Sequence, residues 1–479
     1  MSGLKTISRI PSSHRWRRSV RHIALAFAAV STTASAEPPS ILHIIADDLG
    51  WNDVGFHGSE IPTPNIDRLS KQSVVFNRFY VSPICSPTRA GCLTGRYPFR
   101  FGIWNGVCNP QSRHGLPGDE LTIAEWLGEH GYRHRGLIGK WHLGLASTRF
   151  HPLEHGFTEF LGHYNGAIDY FSHERHGELD WHRNHESLRQ DGYSTDLLGD
   201  AAVEFVTNRP TPFHLLVAFN APHSPLQAKR DDLDAVGFDS AGPRCPNTDK
   251  GIAKRESAPD YGEEGKGNTK RQTFAAMTRS MDENIGRILD ALDRRNIADN
   301  TLVVFHSDNG ADPKHGGSNQ PLRGNKFTTW EGGVRVVALA RWPGKFDKGS
   351  RFGGPVCYLD LFPTFATATG STAPEGLDGT DLLPALTGRG ALPKREILLG
   401  KDTVISGEWK RRGDQLFDVE SDPEESHNVA DLHPQIFTRL GSRLARFTRL
   451  SGPPVESSAT RTGSWPPIDW KLPEEPPSP

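Results

Sequence analysis

"ILHIIADD", residues 41–48, is an apolar, β-branched run that stops on two aspartates. A run of this kind, bounded by turn residues, predicts a strand buried on both faces. Two further segments have the same form. "HLLVAFNA" (214–221) runs into Pro222-His223, and "TLVVFHS" (301–307) runs into Asp308-Asn309-Gly310. Between them lies a helical pattern, with Phe274, Met277, Met281, Ile285, Ile288, Leu289 and Leu292 on one face. Strands alternating with helices predict an α/β fold, a mostly parallel sheet sandwiched by helices. Ligands of such sheets bind outside the carboxyl ends of the strands, which is where the acidic and histidine residues fall.

The 479 residues suffice for one large domain with an appendage, or for two domains. Residues 1–36 read separately. Lys5, Arg9, Arg15, Arg17, Arg18 and Arg21 precede the apolar run "IALAFAAV" and then Ala34-Ser35-Ala36. That order predicts a signal peptide, too short to span a bilayer, and so an exported protein, periplasmic or secreted. Discounting those basic residues takes the formal net charge from −2 to about −8, which argues against nucleic-acid binding. No later segment is apolar enough for a membrane span. Cys85, Cys92, Cys108, Cys245 and Cys357 make an odd number, so an exported chain keeps at least one thiol without an intramolecular partner. The expected organisation is a catalytic domain over 37–373, a small C-terminal α+β subdomain over 374–451 and a proline-rich tail over 452–479. Residues 229–272, polar and glycine-rich, read as a long surface excursion.

Asp47-Asp48 and Asp308-Asn309 each end a strand, as turn residues commonly do. Meeting at one sheet edge, they would offer oxygen ligands to a hard cation, Ca2+ or Mg2+. In "IGKWHLG" (138–144), Lys140 and His142 share a side if the chain is extended there. "APHSP" (221–225) holds His223 between two prolines, and "RGNKFTTWEGG" (323–333) sets Lys326 among turn residues. In "CSPTRAGCLTGR" (85–96), Ser86 suits an N-cap and Pro87 the first helical position, which puts Cys85 at a helix start. Taken alone, each has an ordinary structural explanation. Together they describe a site for a dianion, built from a metal, several cations and a helix N-terminus. Phosphate or sulfate esters are the natural substrates.

The pattern Cys85-Ser86-Pro87-Thr88-Arg89, followed by Gly95-Arg96, resembles the CxPxR signature of the type I sulfatases. The resemblance continues through "ADDLGWNDVG", "TPNIDRLS", "GKWHLG", "SDNG" and "RGNKFTTWEGGVR" to "LFDVESDPEESHN". It implies an alkaline-phosphatase-like fold. It also implies that Cys85 is oxidised to Cα-formylglycine by a separate formylglycine-generating enzyme, the hydrated aldehyde then being the nucleophile. Asp47, Asp48, Asp308 and Asn309, with the modified Cys85, would bind Ca2+ or Mg2+. Arg89 and Lys140 would hold the formylglycine hydroxyls and sulfate, His142 would help collapse the sulfated intermediate, and His223 and Lys326 would hold sulfate and protonate the leaving oxygen.

Within the family, "DYFSHER" (169–175) and "NQPLRGNKFTTWEGGVR" (319–335) look most like arylsulfatase B, the N-acetylgalactosamine-4-sulfatase group. A sulfated carbohydrate or aryl sulfate is the expected substrate. The departure from the family is "GKDTVISGEWKRRGDQLFDV" (400–419), shorter than the usual strand pair before the LFD motif. Two alternatives are a phosphodiesterase or phosphonate hydrolase of the same superfamily, and a non-catalytic sulfated-glycan binder with Cys85 unmodified.

Overall fold

The structure is a computed structural model, and it describes residues 37–104, 106–109, 114–175, 177–237 and 269–453. The signal-peptide reading of 1–36, Cys245 and nearly all of the C-terminal tail lie outside these residues.

A ten-stranded sheet forms the centre. Its strands in chain order are β1 (Ser40–Ala46), β2 (Val74–Phe76), β3 (His134–Lys140), β4 (Glu159–His163) and β5 (His182–Arg183). They continue with β6 (Glu186–Ser187), β7 (Phe213–Ala218), β8 (Thr301–Ser307), β9 (Ala338–Arg341) and β10 (Arg351–Phe352). Across the sheet the order is β10-β2-β9-β8-β1-β7-β3-β4-β5-β6. The central run β8-β1-β7-β3-β4 is parallel throughout, while β9 and β5 join its two sides antiparallel. All three strands expected from the sequence lie side by side in that run.

The alternation of strand side chains explains the layering. From β1, Ile41 and Ile45 enter one apolar core, and Leu42, Ile44 and Ala46 enter the other. The first core is covered by α2 (Cys85–Thr94), α3 (Ile123–Glu129) and α7 (Leu361–Ala368). The second is covered by α1 (Pro64–Gln72), α4 (Ser194–Asn208), α5 (Arg230–Ala235) and α6 (Lys270–Arg294). The apolar face expected on α6 is buried at every position from Phe274 to Leu292. Its start lies earlier, at Lys270, because Thr269 and Gln272 form a capping box. The excursion expected over 229–272 therefore contains α5 and the first turn of α6; residues 238–268 are outside the description.

The C-terminal part carries a four-stranded antiparallel sheet, Ile397–Leu398, Thr403–Ser406, Trp409–Arg412 and Gln415–Asp418, followed by α8 (Pro434–Leu450). Its Ile397, Val404, Ile405 and Leu416 belong to the same apolar core as α2 and α7.

His214 on β7 is fully buried, stacks near Phe157 and has no hydrogen-bond partner on either ring nitrogen. Burial holds its pKa down to about 3. The unfolded chain takes up this proton near pH 6.5, but the native state does not until about pH 3. Native-state stability is therefore lost progressively as pH falls through that window, by about 1.4 kcal/mol per pH unit. His214→Leu should raise the unfolding midpoint, and the gain over the parent should widen between pH 7 and pH 5. Thermal melts at three pH values check this; a constant gap would contradict it.

Candidate active site

The carboxyl ends of β1, β8, β3 and β7 deliver Asp47-Asp48, Asp308-Asn309, Lys140 and the loop bearing His223 to one place. The N-terminus of α2 meets them there with Cys85. The helix begins at Cys85 after the extended Ile84. Ser86 is not its cap, contrary to the sequence reading, because its hydroxyl is used elsewhere: it donates to the His142 carbonyl at 2.8 Å and accepts from the Cys108 N–H at 3.1 Å. The first bond fastens the helix start to the loop after β3, and the second to the segment around Cys108.

Charge is matched residue by residue. The Arg89 guanidinium donates through Nε and Nη2 to Asp308 Oδ2 at 3.0 and 2.8 Å, and through Nη1 to the Lys140 carbonyl at 3.0 Å. Lys140 Nζ lies 2.5 Å from Asp47 Oδ2. On the other flank, Lys326 Nζ lies 2.7 Å from Asp48 Oδ1, and Asn309 Nδ2 donates to the same oxygen at 2.6 Å. His223 Nδ1–H donates to the Ser224 carbonyl at 2.6 Å, so a neutral ring turns its bare Nε2 towards Asp48 Oδ2, 3.6 Å away. Eight of the ten residues singled out from the sequence are thus joined by hydrogen bonds or ion pairs, and the other two, Cys85 and His142, line one cleft with His223 and Lys326.

The local backbone is unusual. Asp48 and His142 adopt φ 63° and 58°. His142 consequently leaves the line of β3 in a left-handed turn, so the extended geometry expected to align it with Lys140 does not occur. Gly166 packs against its ring; a Cβ there would come within 2.5 Å of the imidazole. Gly310 is needed for a similar reason, since a Cβ would meet the Gly332 carbonyl at 1.8 Å.

Electrostatics set the protonation states. Burial raises Asp47 to about 7, helped by Asp308 and opposed by Lys140 and Arg89. Asp48 is also penalised by burial, but the Lys326 ammonium holds it well below the usual carboxylate range. Burial, then the neighbouring cations, keeps His142 and His223 neutral at pH 7. Burial pushes the Cys85 thiol up, so as a thiol it is a poor nucleophile.

The donor set fits a hard cation. Asp47 Oδ1 and Asn309 Oδ1 are buried and have no hydrogen-bond partner, and ligand atoms of Asp47, Cys85 and Asp308 lie within 4.8 Å of one another. Unpaired buried oxygens of this kind are costly unless a cation meets them. A second group, His43, Cys92 and His306, sits in the core behind α2. There His306 Nδ1–H donates to the Ser307 carbonyl, leaving its Nε2 to face His43 Nε2 at 2.8 Å, so the two rings satisfy each other.

A cleft of about 320 Å³ opens over Cys85, His142, His223 and Lys326. Asn165, Arg175 and Phe327 also line it, and the sequence reading did not single them out as site residues. Asn165 is positioned by Asp180, which accepts from its backbone N–H and its Nδ2, both at 2.8 Å. "DYFSHER" marked the segment of Arg175 without marking the residue.

The Sulfatase family model matches residues 39–371. The chain belongs to the sulfatase family. Its relatives include Arylsulfatase J of Mus musculus, 33% identical over 79% of this sulfatase and 61% of that protein. The N-acetylgalactosamine-6-sulfatase of Homo sapiens is 32% identical over 79% of this chain and 71% of its own. Among solved structures, Ps i-CgsB in complex with k-i-k-neocarrahexaose is 33% identical with a TM-score of 0.76, covering 88% of this sulfatase and 96% of that chain. The layered sheet with its C-terminal antiparallel appendage is thus the alkaline-phosphatase-like fold of this family. Among the described residues, no helix of the sulfatase is long and apolar enough to cross a membrane.

Proposed function

We propose that this sulfatase hydrolyses sulfate esters of carbohydrates at the Cys85 cleft. The observation that carries the reading is the meeting of two strand-end pairs, Asp47-Asp48 and Asp308-Asn309, with Arg89, Lys140 and Lys326 around the start of a buried helix. Such a set binds a tetrahedral dianion and a hard cation together.

Each residue has a task in this reading. Arg89 and Lys140 fix residue 85 and the sulfate oxygens. His142, neutral and buried with Nδ1 unpaired, can accept a proton on the residue-85 side of the cleft. His223 and Lys326, at the Asp48 flank, serve the leaving oxygen. Calcium at Asp47, Asp48, Asp308 and Asn309 would stabilise charge on a sulfate oxygen and acidify a hydroxyl beside it. Oxidation of Cys85 to Cα-formylglycine by a formylglycine-generating enzyme would supply the nucleophile that the buried thiol is not.

The resemblance of residues 169–175 to 4-sulfatases puts N-acetylgalactosamine 4-sulfate first among substrates to test. The relatives named N-acetylgalactosamine-6-sulfatase put the 6-sulfate next, and the neighbour in complex with k-i-k-neocarrahexaose adds that oligosaccharide. Export, periplasmic or secreted, is part of the same proposal.

Peptide mass spectrometry of active enzyme is expected to find the thiol of residue 85 replaced by an aldehyde. Active protein with an intact thiol there would overturn this reading of the site, as would full activity after exhaustive chelation.

A further inference from the structure

Phe327 is placed unlike the other large apolar side chains. Among the described residues three large apolar side chains are exposed, Leu121, Leu432 and Phe327; Phe327 is the aromatic one, 66% exposed, and its backbone lies at φ 72°, a region that bulky residues avoid. Two consecutive backbone N–H groups, those of Lys326 and Phe327, anchor the loop here. Its N–H donates to the Pro83 carbonyl at 2.8 Å, two residues from Cys85, and the preceding Lys326 N–H donates to the Ala311 carbonyl at 3.2 Å. The loop is therefore tied to both walls of the site, and the ring lines the cleft instead of entering the core. Lys326 Nζ is 5.4 Å from the ring centroid, so the ring stands next to the ammonium that faces Asp48.

Besides Phe327, the cleft carries the amide side chains of Asn109 and Asn165 and the guanidinium of Arg175. A flat apolar plate beside amides and a cation matches a pyranose, which offers one C–H face and a rim of hydroxyl or anionic groups.

We infer that Phe327 is the platform on which the sugar ring bearing the scissile sulfate lies, and that this contact selects sulfated sugars. The inference rests on the sulfate-ester reading above. The strained backbone is the cost of presenting the ring, offset by the two loop hydrogen bonds.

The test uses full-length, modified enzyme and the variants Phe327→Ala, Phe327→Gly and Phe327→Tyr, with a sulfated monosaccharide as substrate and inorganic sulfate as inhibitor. Phe327→Ala and Phe327→Gly should raise KM for the sugar about 10-fold with kcat little changed, the loss of one stacking contact. The inhibition constant of sulfate should stay within about 2-fold in every variant, because the sulfate pocket is intact. Phe327→Tyr should restore the parental KM. Glycine relieves the positive φ and alanine does not, so Phe327→Gly should unfold about 1–3 °C above Phe327→Ala despite the shared KM defect. An unchanged sugar KM in Phe327→Ala overturns the platform while leaving the sulfatase reading standing. Equal losses for sugar and sulfate overturn it also, by showing that the loop merely holds the pocket together. A parent enzyme that cleaves aryl sulfates but no sulfated sugar removes both the platform and the carbohydrate reading.

Discussion

Asp308→Ala is expected to lower kcat/KM by at least about 10³-fold, and to cost the native state about 3–5 kcal/mol as well. The sequence marks this residue as a candidate metal ligand, and the structure gives it a second partner. Its Oδ2 receives two hydrogen bonds from Arg89, and its Oδ1 accepts from the Asp48 N–H at 3.3 Å. Without the carboxylate, a buried guanidinium keeps only the Lys140 carbonyl and a distant Asp47 oxygen at 3.8 Å. Removing one member of a buried pair is far more damaging than never having built it. Denaturant titration measures the stability part. The metal part is read separately from the rise in unfolding midpoint on adding Ca2+, which the parent should show and the variant should lack. Wild-type activity in the variant, or a Ca2+ response equal to the parent's, would remove Asp308 from the metal site.

Lys410→Met should be the most damaging single change outside the cleft, at about 3–5 kcal/mol. Lys410 is fully buried and lies 2.9 Å from both Glu331 Oε1 and Glu425 Oε1. Glu331 also accepts from the Tyr80 hydroxyl at 3.1 Å, and its N–H donates to Glu425 Oε2 at 2.6 Å. Methionine fills similar space but leaves two buried carboxylates facing each other. Glu425 is already held above the usual range, first by burial and then by Glu331, against the pull of Lys410. Without the lysine it should take up a proton more readily. A group whose folded pKa is raised stabilises at low pH and loses that contribution as pH rises through the folded pKa. The deficit of Lys410→Met should therefore shrink from pH 8 to pH 5, and Glu425→Gln in the same chain should recover part of it. A deficit independent of pH would mean that packing, not charge, is what Lys410 supplies.

What could be read from the sequence followed from local chemistry. The runs ending in Asp47-Asp48 and Asp308-Asn309 announce both the strands and the edge of the sheet where they meet, because a buried strand must stop where charge begins. The helix at Cys85 was legible to within a residue; its cap was misread because Ser86 bonds to His142 and Cys108, neither near it in sequence. The capping box at Thr269 was present as threonine and glutamine three apart, and would have placed the start of α6. The Glu331–Lys410–Glu425 cluster left no such trace, since three charged residues on separate segments have no periodicity. Phe327 was hidden for another reason: a phenylalanine beside threonines reads as ordinary extended chain, whereas its backbone lies in the left-handed region, in a loop anchored to Pro83 and Ala311.

The grip of Lys410 on Glu331 also bears on how the protein is made. The turn carrying Lys326 and Glu331 cannot bury its carboxylate favourably until Lys410, roughly 325 residues after Cys85, has left the ribosome. At about 5–20 residues per second, that is an interval of tens of seconds. In the finished protein Cys85 is 2% exposed and every residue of α2 is buried. The residues around position 85 are thus made long before the partners of that turn exist. A ribosome that stops short of residue 410 would release a chain with residue 85 already made but with the Glu331 carboxylate lacking its buried cation.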